Sequence, residues 1–122
     1  MAKITGVGGI FFKSPDPKKL ADWYRDVLGL DIQSYGASLL SYDAEGHPPF
    51  VVWTPFAADT TYYEPSTREF MVNFAVDDLD AFLAQIEAKA VAVLGRQDYD
   101  YGRFAWILDP DGTKIELWQP LP

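Results

Sequence analysis

The sequence predicts one domain of mixed helices and strands, built from two βαβββ modules. Each half contains one amphipathic helix that follows a β-like segment and precedes three more such segments. Both helices begin after an aspartate, and both halves end on a tryptophan two residues before a proline, in VVWTP and ELWQP. The 122 residues, 48% of them hydrophobic, suit a single core. We assign residues 3–55 to module one, 56–68 to a linker and 69–120 to module two.

The first module opens with the apolar, glycine-interrupted segment 4–12, which is typical of a strand. A helix is expected over Pro17–Leu28, because Asp16 can cap it, proline suits its first position and Gly29 follows its last turn. Its apolar face combines spacings of three and four residues: Leu20, Trp23, Tyr24, Val27 and Leu28. Three short strands are predicted next, at 31–35, 38–43 and 50–54.

The second module repeats this order of elements. A strand is predicted in 69–76 and a helix in 77–90, followed by strands at 91–94, 103–108 and 114–118. The helix has one apolar face: Leu79, Phe82, Leu83 and Ile86. The sequence DPDG at 109–112 predicts a tight turn that places Glu116 in the final strand.

Composition excludes several functional classes. The chain has no cysteine, so disulfides and thiolate chemistry are excluded and a cytoplasmic location is the default. No apolar run reaches the roughly 20 residues of a membrane helix, and we expect no membrane partner. A net charge of −8 opposes binding to nucleic acid. The same charge indicates either solubility alone or attraction of a cationic ligand.

Four segments give the chain its resemblance to a known family: ITGVGGIFF, KKLADWYRDVLGLD, FMVNFAVDDLDAFLAQI and FAWILDPDGTKIELWQP. Together they resemble the glyoxalase, bleomycin-resistance and dioxygenase superfamily, which has the vicinal oxygen chelate fold. The resemblance implies an α+β fold in which two βαβββ modules form curled mixed sheets around a cavity. It also implies that a small molecule binds in that cavity, and that the protein is a homodimer.

Metal-dependent members of this superfamily hold a divalent ion with four inward-facing side chains, usually two histidines and two glutamates. The resemblance places these positions at Gly9, Val52, Met71 and Glu116. Only the last is a typical ligand, because thioether sulfur suits a hard divalent ion poorly. We therefore expect no metal or other cofactor, with a divalent metal as the minor alternative. His47, the single histidine, lies in the turn sequence EGHPP and is expected at the surface.

The alternation of side chains along strands extends these positions to a mainly apolar inward set: Val7, Gly9, Phe11, Phe50, Val52, Met71, Asn73 and Glu116. Glu116 is either a strand residue satisfied by a nearby hydroxyl or a pocket carboxylate whose pKa is raised by desolvation. Asn73 is a candidate hydrogen-bonding group for a ligand. The segment QDYDYGRF is either a solvated loop or part of the ligand site. In the site, Arg103 could bind an anionic group, or the acids and tyrosines could bind a cation.

Three functions remain open at this point. The first is a metal-independent protein that binds a small molecule through Gly9, Val52, Met71, Asn73, Arg103 and Glu116. The second is a metal-free enzyme in which Glu116 transfers protons, with Tyr99 or Tyr101 as a partner. The third is a metal-dependent lyase, isomerase or dioxygenase, which the substitutions at the ligand positions disfavour.

Overall fold

The computed structural model describes Val7, residues 9–41 and residues 43–122. Within these residues the chain forms two helices and four strands. Their order is α1 (Pro17–Leu28), β1 (Val72–Ala75), α2 (Leu79–Glu87), β2 (Gly95–Tyr99), β3 (Gly102–Leu108) and β4 (Lys114–Pro120). The α+β fold class predicted from the sequence is confirmed.

Both helices begin after a capping aspartate; α1 has the predicted bounds, whereas α2 spans Leu79–Glu87 and is shorter than the predicted 77–90. The side chain of Asp16 accepts a hydrogen bond from the backbone N–H of Lys19, which satisfies a free donor at the start of α1. Gly29 ends α1 in the left-handed conformation, with φ of 78°, where a side chain would be strained. Asp78 caps α2 in the same way as Asp16 caps α1, by accepting from the N–H of Ala81 at 3.0 Å.

The strands form one curled, unclosed mixed sheet in the order β1-β4-β3-β2. β1 runs parallel to β4, whereas the β4–β3 and β3–β2 pairs are antiparallel. The DPDG turn joins β3 to β4: the N–H of Gly112 donates to the carbonyl of Asp109 at 3.0 Å. This turn fixes the register of β3 and β4, and Trp106 therefore lies directly opposite Glu116.

The hydrophobic core lies between the two helices and one face of the sheet. Side chains of α1, α2, β3 and β4 build it: Leu20, Tyr24, Leu28, Leu79, Leu83, Ile86, Ala105, Ile107, Ile115 and Leu117. Because strand side chains alternate, the residues between these on β3 and β4 point to the opposite face. We call this the Glu116 face; it comprises Lys114, Glu116 and Trp118 of β4 and Phe104 and Trp106 of β3.

Two predictions for the second module need correction. The strand expected at 91–94 lies instead at Gly95–Tyr99, because Val91 and Val93 pack against the core as the chain leaves α2. The expected loop QDYDYGRF is therefore mostly a β-hairpin, in which β2 and β3 are joined by Asp100 and Tyr101.

The strands predicted in the first module do not form in the described residues. A single antiparallel bridge joins Ile32 to Ser38, and neither 9–12 nor 50–54 pairs as a strand; residues 4–6 and 8 lie outside the described residues. Apolar side chains of this half remain exposed: Ile10, Phe11, Phe12, Leu39, Leu40, Phe50, Val51, Val52 and Trp53. Phe12 lies beside Phe70 and Phe50 lies beside Trp118, with ring centroids 6.0 Å and 6.3 Å apart, but both remain more than 40% exposed. Neither described helix has the length and apolarity to cross a membrane.

Candidate functional site

Glu116 is the most buried charged group on the face of the sheet that points away from the helices. It is only 8% exposed, although that face is open. The register places it between Asn73 on β1 and Trp106 on β3, and both are directly opposite it in their strand pairs. The sheet therefore brings two polar side chains beside one carboxylate.

Three hydrogen-bond donors converge on this carboxylate. The side-chain amide of Asn73 donates to Oε1 at 2.8 Å, and the indole N–H of Trp106 donates to Oε2 at 2.8 Å. The phenol of Tyr62, from the linker between the modules, also donates to Oε2. A carboxylate offers about four acceptor positions, so most of the hydrogen-bonding capacity of Glu116 is used.

Lys114 holds the linker against this site. Its ammonium donates to the backbone carbonyl of Tyr62 at 2.5 Å and lies 5.1 Å from the centre of the Tyr62 ring. It also lies 5.5 Å from the centre of the Trp106 ring, a second cation–π contact. Burial lowers the pKa of Lys114, against the opposing charge of Glu116.

The phenol of Tyr62 is a poor proton source. Burial, followed by the hydrogen bond to Glu116 and the charge of that carboxylate, raises its pKa above the ordinary value. Tyr62 consequently remains a neutral donor at physiological pH. Its ring is 38% exposed and meets the Trp106 ring edge-on, with centroids 6.1 Å apart.

Aromatic rings continue along the same face towards the β2–β3 hairpin. Trp118 stacks on Phe104 at 6.3 Å, and Phe50 of the first module lies 6.3 Å from Trp118. At the hairpin end, Tyr99 and Tyr101 stack at 5.2 Å. The face therefore combines one buried carboxylate with a broad aromatic surface.

Trp118 is held closely against the backbone of the hairpin. Its indole nitrogen is buried and has no hydrogen-bond partner among the described residues. A Cβ atom added at Gly102 would lie 2.8 Å from that nitrogen and 3.2 Å from the Phe104 ring. Glycine is required here because two rings occupy the space of its missing side chain.

The other residues predicted for the site are only partly brought together. Asn73 contacts Glu116, and Met71 is half-buried two residues earlier in the chain. Gly9 and Val52 are both exposed. Within the part of the chain that the structure describes, the Glu116 face is open and is not enclosed as the expected cavity.

Arg103 lies on the other side of the sheet from Glu116, so the structure does not bring this predicted site residue together with the carboxylate. Its guanidinium pairs with Asp80 of α2 at 3.4 Å. Asp80 also pairs with Arg96, which reaches Asp98 as well. Side chains alternate along β3, and Arg103 therefore points to the same side as the core residues Ala105 and Ile107 rather than to the side of Trp106. Asp80 and Asp98 are thus both engaged by arginines.

Two clefts lie away from Glu116. One, of about 260 Å³, is lined by His47, Gly46 and Phe82 among others. The second, of about 250 Å³, is lined by Trp23, Leu94 and Pro110 among others. The Nδ1 atom of His47 lies 2.7 Å from the carbonyl oxygen of Pro48, so this histidine belongs to the turn predicted for it.

A family model matches residues 10–117, and its description is Glyoxalase/Bleomycin resistance protein/Dioxygenase superfamily. The chain belongs to this superfamily. The match spans both modules, which confirms the resemblance inferred from the sequence. A comparison with curated proteins gave no match.

Several solved structures share the fold. TnmS3, an antibiotic binding protein from Streptomyces sp. CB03234, is 25% identical with a TM-score of 0.64, covering 99% of this chain and 100% of that chain. A glyoxalase/bleomycin resistance protein from the same source is 26% identical with a TM-score of 0.50, covering 84% of this chain and 90% of that chain. An integron cassette protein from V. cholerae is 17% identical, covers 97% of each chain and has a TM-score of 0.62, which indicates the fold alone.

Of the four positions that the resemblance assigns to metal ligands, only Glu116 carries a carboxylate or imidazole. Gly9, Val52 and Met71 offer no carboxylate or imidazole, and Glu116 is occupied by its three donors. In the part of the chain that the structure describes, no group of three histidine, cysteine, aspartate or glutamate side chains could hold a metal ion.

Two contacts of Glu116 were missed in the sequence analysis. Trp106 was predictable, because counting outwards from the DPDG turn pairs position 106 with 116. Tyr62 was not, because the linker has no periodic pattern that fixes where its side chains point. The tyrosines proposed as partners of Glu116, Tyr99 and Tyr101, instead stack on each other at the hairpin.

Proposed function

We propose that this protein binds and sequesters an aromatic small molecule on the Glu116 face, without a catalytic metal. The observation that carries the proposal is a buried carboxylate, with donors from Asn73 and Trp106, on an open aromatic face. Ligand sites in proteins typically combine apolar walls with a few fixed polar groups. The similarity to TnmS3, an antibiotic binding protein, supports binding as the function.

Binding is favoured over proton transfer by the partners of the carboxylate. Tyr62 is the phenol that contacts Glu116, and its raised pKa makes it a weak acid at physiological pH. An efficient general acid or base needs a pKa near the working pH. The contacts of Glu116 are therefore better suited to orienting a ligand than to exchanging protons with it.

We further propose that the protein is a homodimer and that a second chain covers the exposed apolar side chains of the first module. Trp53 is 79% exposed and Leu39 is 73% exposed, and both belong to segments with strand-like sequences. Large exposed apolar patches indicate interaction surfaces. Among the described residues no further strand pairs with the outer edges of β1 and β2, where a strand of a second chain can pair.

The location of the ligand can be tested through the indole N–H signals of the four tryptophans. We would record nuclear magnetic resonance spectra of the full chain while titrating a panel of aromatic antibiotics, with each signal assigned by a Trp→Phe variant. The proposal predicts saturable shifts of Trp106 and Trp118. Trp23, a residue of α1 that packs against the core, is the internal control. Shifts confined to Trp23 would refute the proposed location.

A further inference from the structure

The three donors to Glu116 differ in how firmly the fold holds them. Asn73 and Trp106 lie on strands that flank β4, and the sheet register fixes them opposite the carboxylate. Tyr62 lies in a linker that has turns but no strand or helix, and its ring is partly exposed. The phenol is thus the one donor of the three that can leave while the sheet stays intact.

The position of the Tyr62 ring is itself a place for an aromatic group. One side of the ring stacks on Phe56 with centroids 5.5 Å apart, and its edge meets Trp106. Its hydroxyl reaches Oε2 of Glu116, beside the indole N–H that binds the same atom. An aromatic molecule with a hydroxyl in the same place would keep the ring contact with Trp106 and the bond to Oε2.

The charge of the protein around Glu116 narrows the class of ligand further. The chain carries a net charge of −8, and Glu116 offers acceptors rather than donors to a newcomer. Lys114 is the nearby cation, but its ammonium already donates to the backbone of Tyr62 and lies over two rings. An anionic ligand would therefore face repulsion from Glu116, while the ammonium of Lys114 is already engaged.

We propose that Tyr62 occupies the place of the ligand and that the site selects an aromatic molecule that carries no negative charge and bears a hydroxyl or N–H donor, which replaces the phenol on Oε2 of Glu116. This inference rests on the proposed function and adds the chemical class of the ligand. Tyr62 is then a specificity-determining residue, because a molecule without a donor cannot replace the hydrogen bond that it displaces.

Three naphthalene probes test this selection in the full-length protein: 2-naphthol carries the donor, 2-methoxynaphthalene lacks it and 2-naphthoate is an anion. Calorimetric titration of the wild type should give the tightest binding for 2-naphthol, by about tenfold over the methyl ether, since a hydrogen bond to a charged group contributes this much or more. The anion should bind most weakly. Equal affinity of the alcohol and the ether would overturn the selection.

Two variants separate the role of the phenol from that of the ring. Tyr62→Phe keeps the ring but leaves Glu116 without one donor, so 2-naphthol no longer competes with it and should bind about tenfold more tightly. Tyr63→Phe, the same change one residue away, is the matched control and should leave the affinity unchanged. An unchanged affinity in Tyr62→Phe, or an equal gain in both variants, would overturn the inference.

The proposed function and the inference fail in different ways. If no probe binds saturably to the wild type or to Tyr62→Phe, both the aromatic site and its selection are overturned. If the probes bind at the Glu116 face with the same affinity whether or not they carry a donor, the proposed function stands and only the role of Tyr62 is refuted. The indole signals of Trp106 and Trp118 identify the face in either case.

Discussion

The phenol of Tyr24 anchors the turn that positions Glu116, and removing its hydroxyl should lower the free energy of unfolding. Tyr24 donates to Oδ2 of Asp109 at 2.8 Å, and both residues are buried. Oδ1 of Asp109 accepts from the backbone N–H groups of Asp111 and Thr113, both at 2.9 Å. The Tyr24→Phe substitution would leave a buried carboxylate oxygen without this donor.

An unsatisfied buried acceptor costs roughly 1–3 kcal/mol, and a charged one lies towards the upper end. We therefore expect Tyr24→Phe to lower the free energy of unfolding by about 2 kcal/mol. For a chain of this length the unfolding entropy is about 0.25 kcal/mol per degree, so the Tm should decrease by about 8 °C.

Thermal and urea denaturation followed by circular dichroism would measure this loss. Tyr35→Phe is the matched control, because Tyr35 is 70% exposed and the same hydroxyl is removed. The control should remain within about 0.5 kcal/mol of the wild type. If Tyr24→Phe were as stable as Tyr35→Phe, the bond to Asp109 would not support the turn and the reasoning would be refuted.

Gly102→Ala should destabilise the fold by about 1–3 kcal/mol, because the new Cβ would lie 2.8 Å from the indole nitrogen of Trp118. Gly95→Ala is the control in the same denaturation assay, because its new Cβ meets its nearest atom at 3.7 Å. Stability should decline as the pH rises above 10.0, the ordinary pKa of tyrosine. Above this pH Tyr24 loses its proton in the unfolded state, whereas burial and Asp109 raise its pKa in the folded state. Tyr24→Phe should flatten this decline in denaturation curves recorded at each pH. Trp53→Glu should convert the proposed homodimer to monomer in analytical ultracentrifugation without loss of helical signal, and an unchanged dimer would exclude this residue from the interface.

The helices and the end of the chain were predictable because their signals are local. Capping by Asp16, the left-handed Gly29 and the DPDG turn depend on neighbours in the sequence, and each behaves as the residues indicate. The same local logic placed Glu116 on the final strand, opposite the helix-facing core.

The strands of the first module and the position of β2 could not be predicted in this way. Val91 and Val93 have the apolar pattern of a strand, but they pack against the core directly after α2. The polar segment Gly95–Tyr99 pairs with β3 instead. The segment around Val52 is rich in residues that favour strands. A strand also needs a neighbouring strand to pair with, and local sequence does not specify that neighbour. The contact between Tyr62 and Glu116 spans 54 positions and depends on the path of an irregular linker.

The central claim is that Glu116 serves a small-molecule site that works without a metal. The most direct measurement is calorimetric titration of protein purified without chelators with Mn²⁺, Fe²⁺, Ni²⁺ and Zn²⁺, in the wild type and in Glu116→Gln. We expect no tight stoichiometric binding that depends on this carboxylate, because its acceptors are held by Tyr62, Asn73 and Trp106. Tight binding in the wild type that disappears in Glu116→Gln would contradict the account.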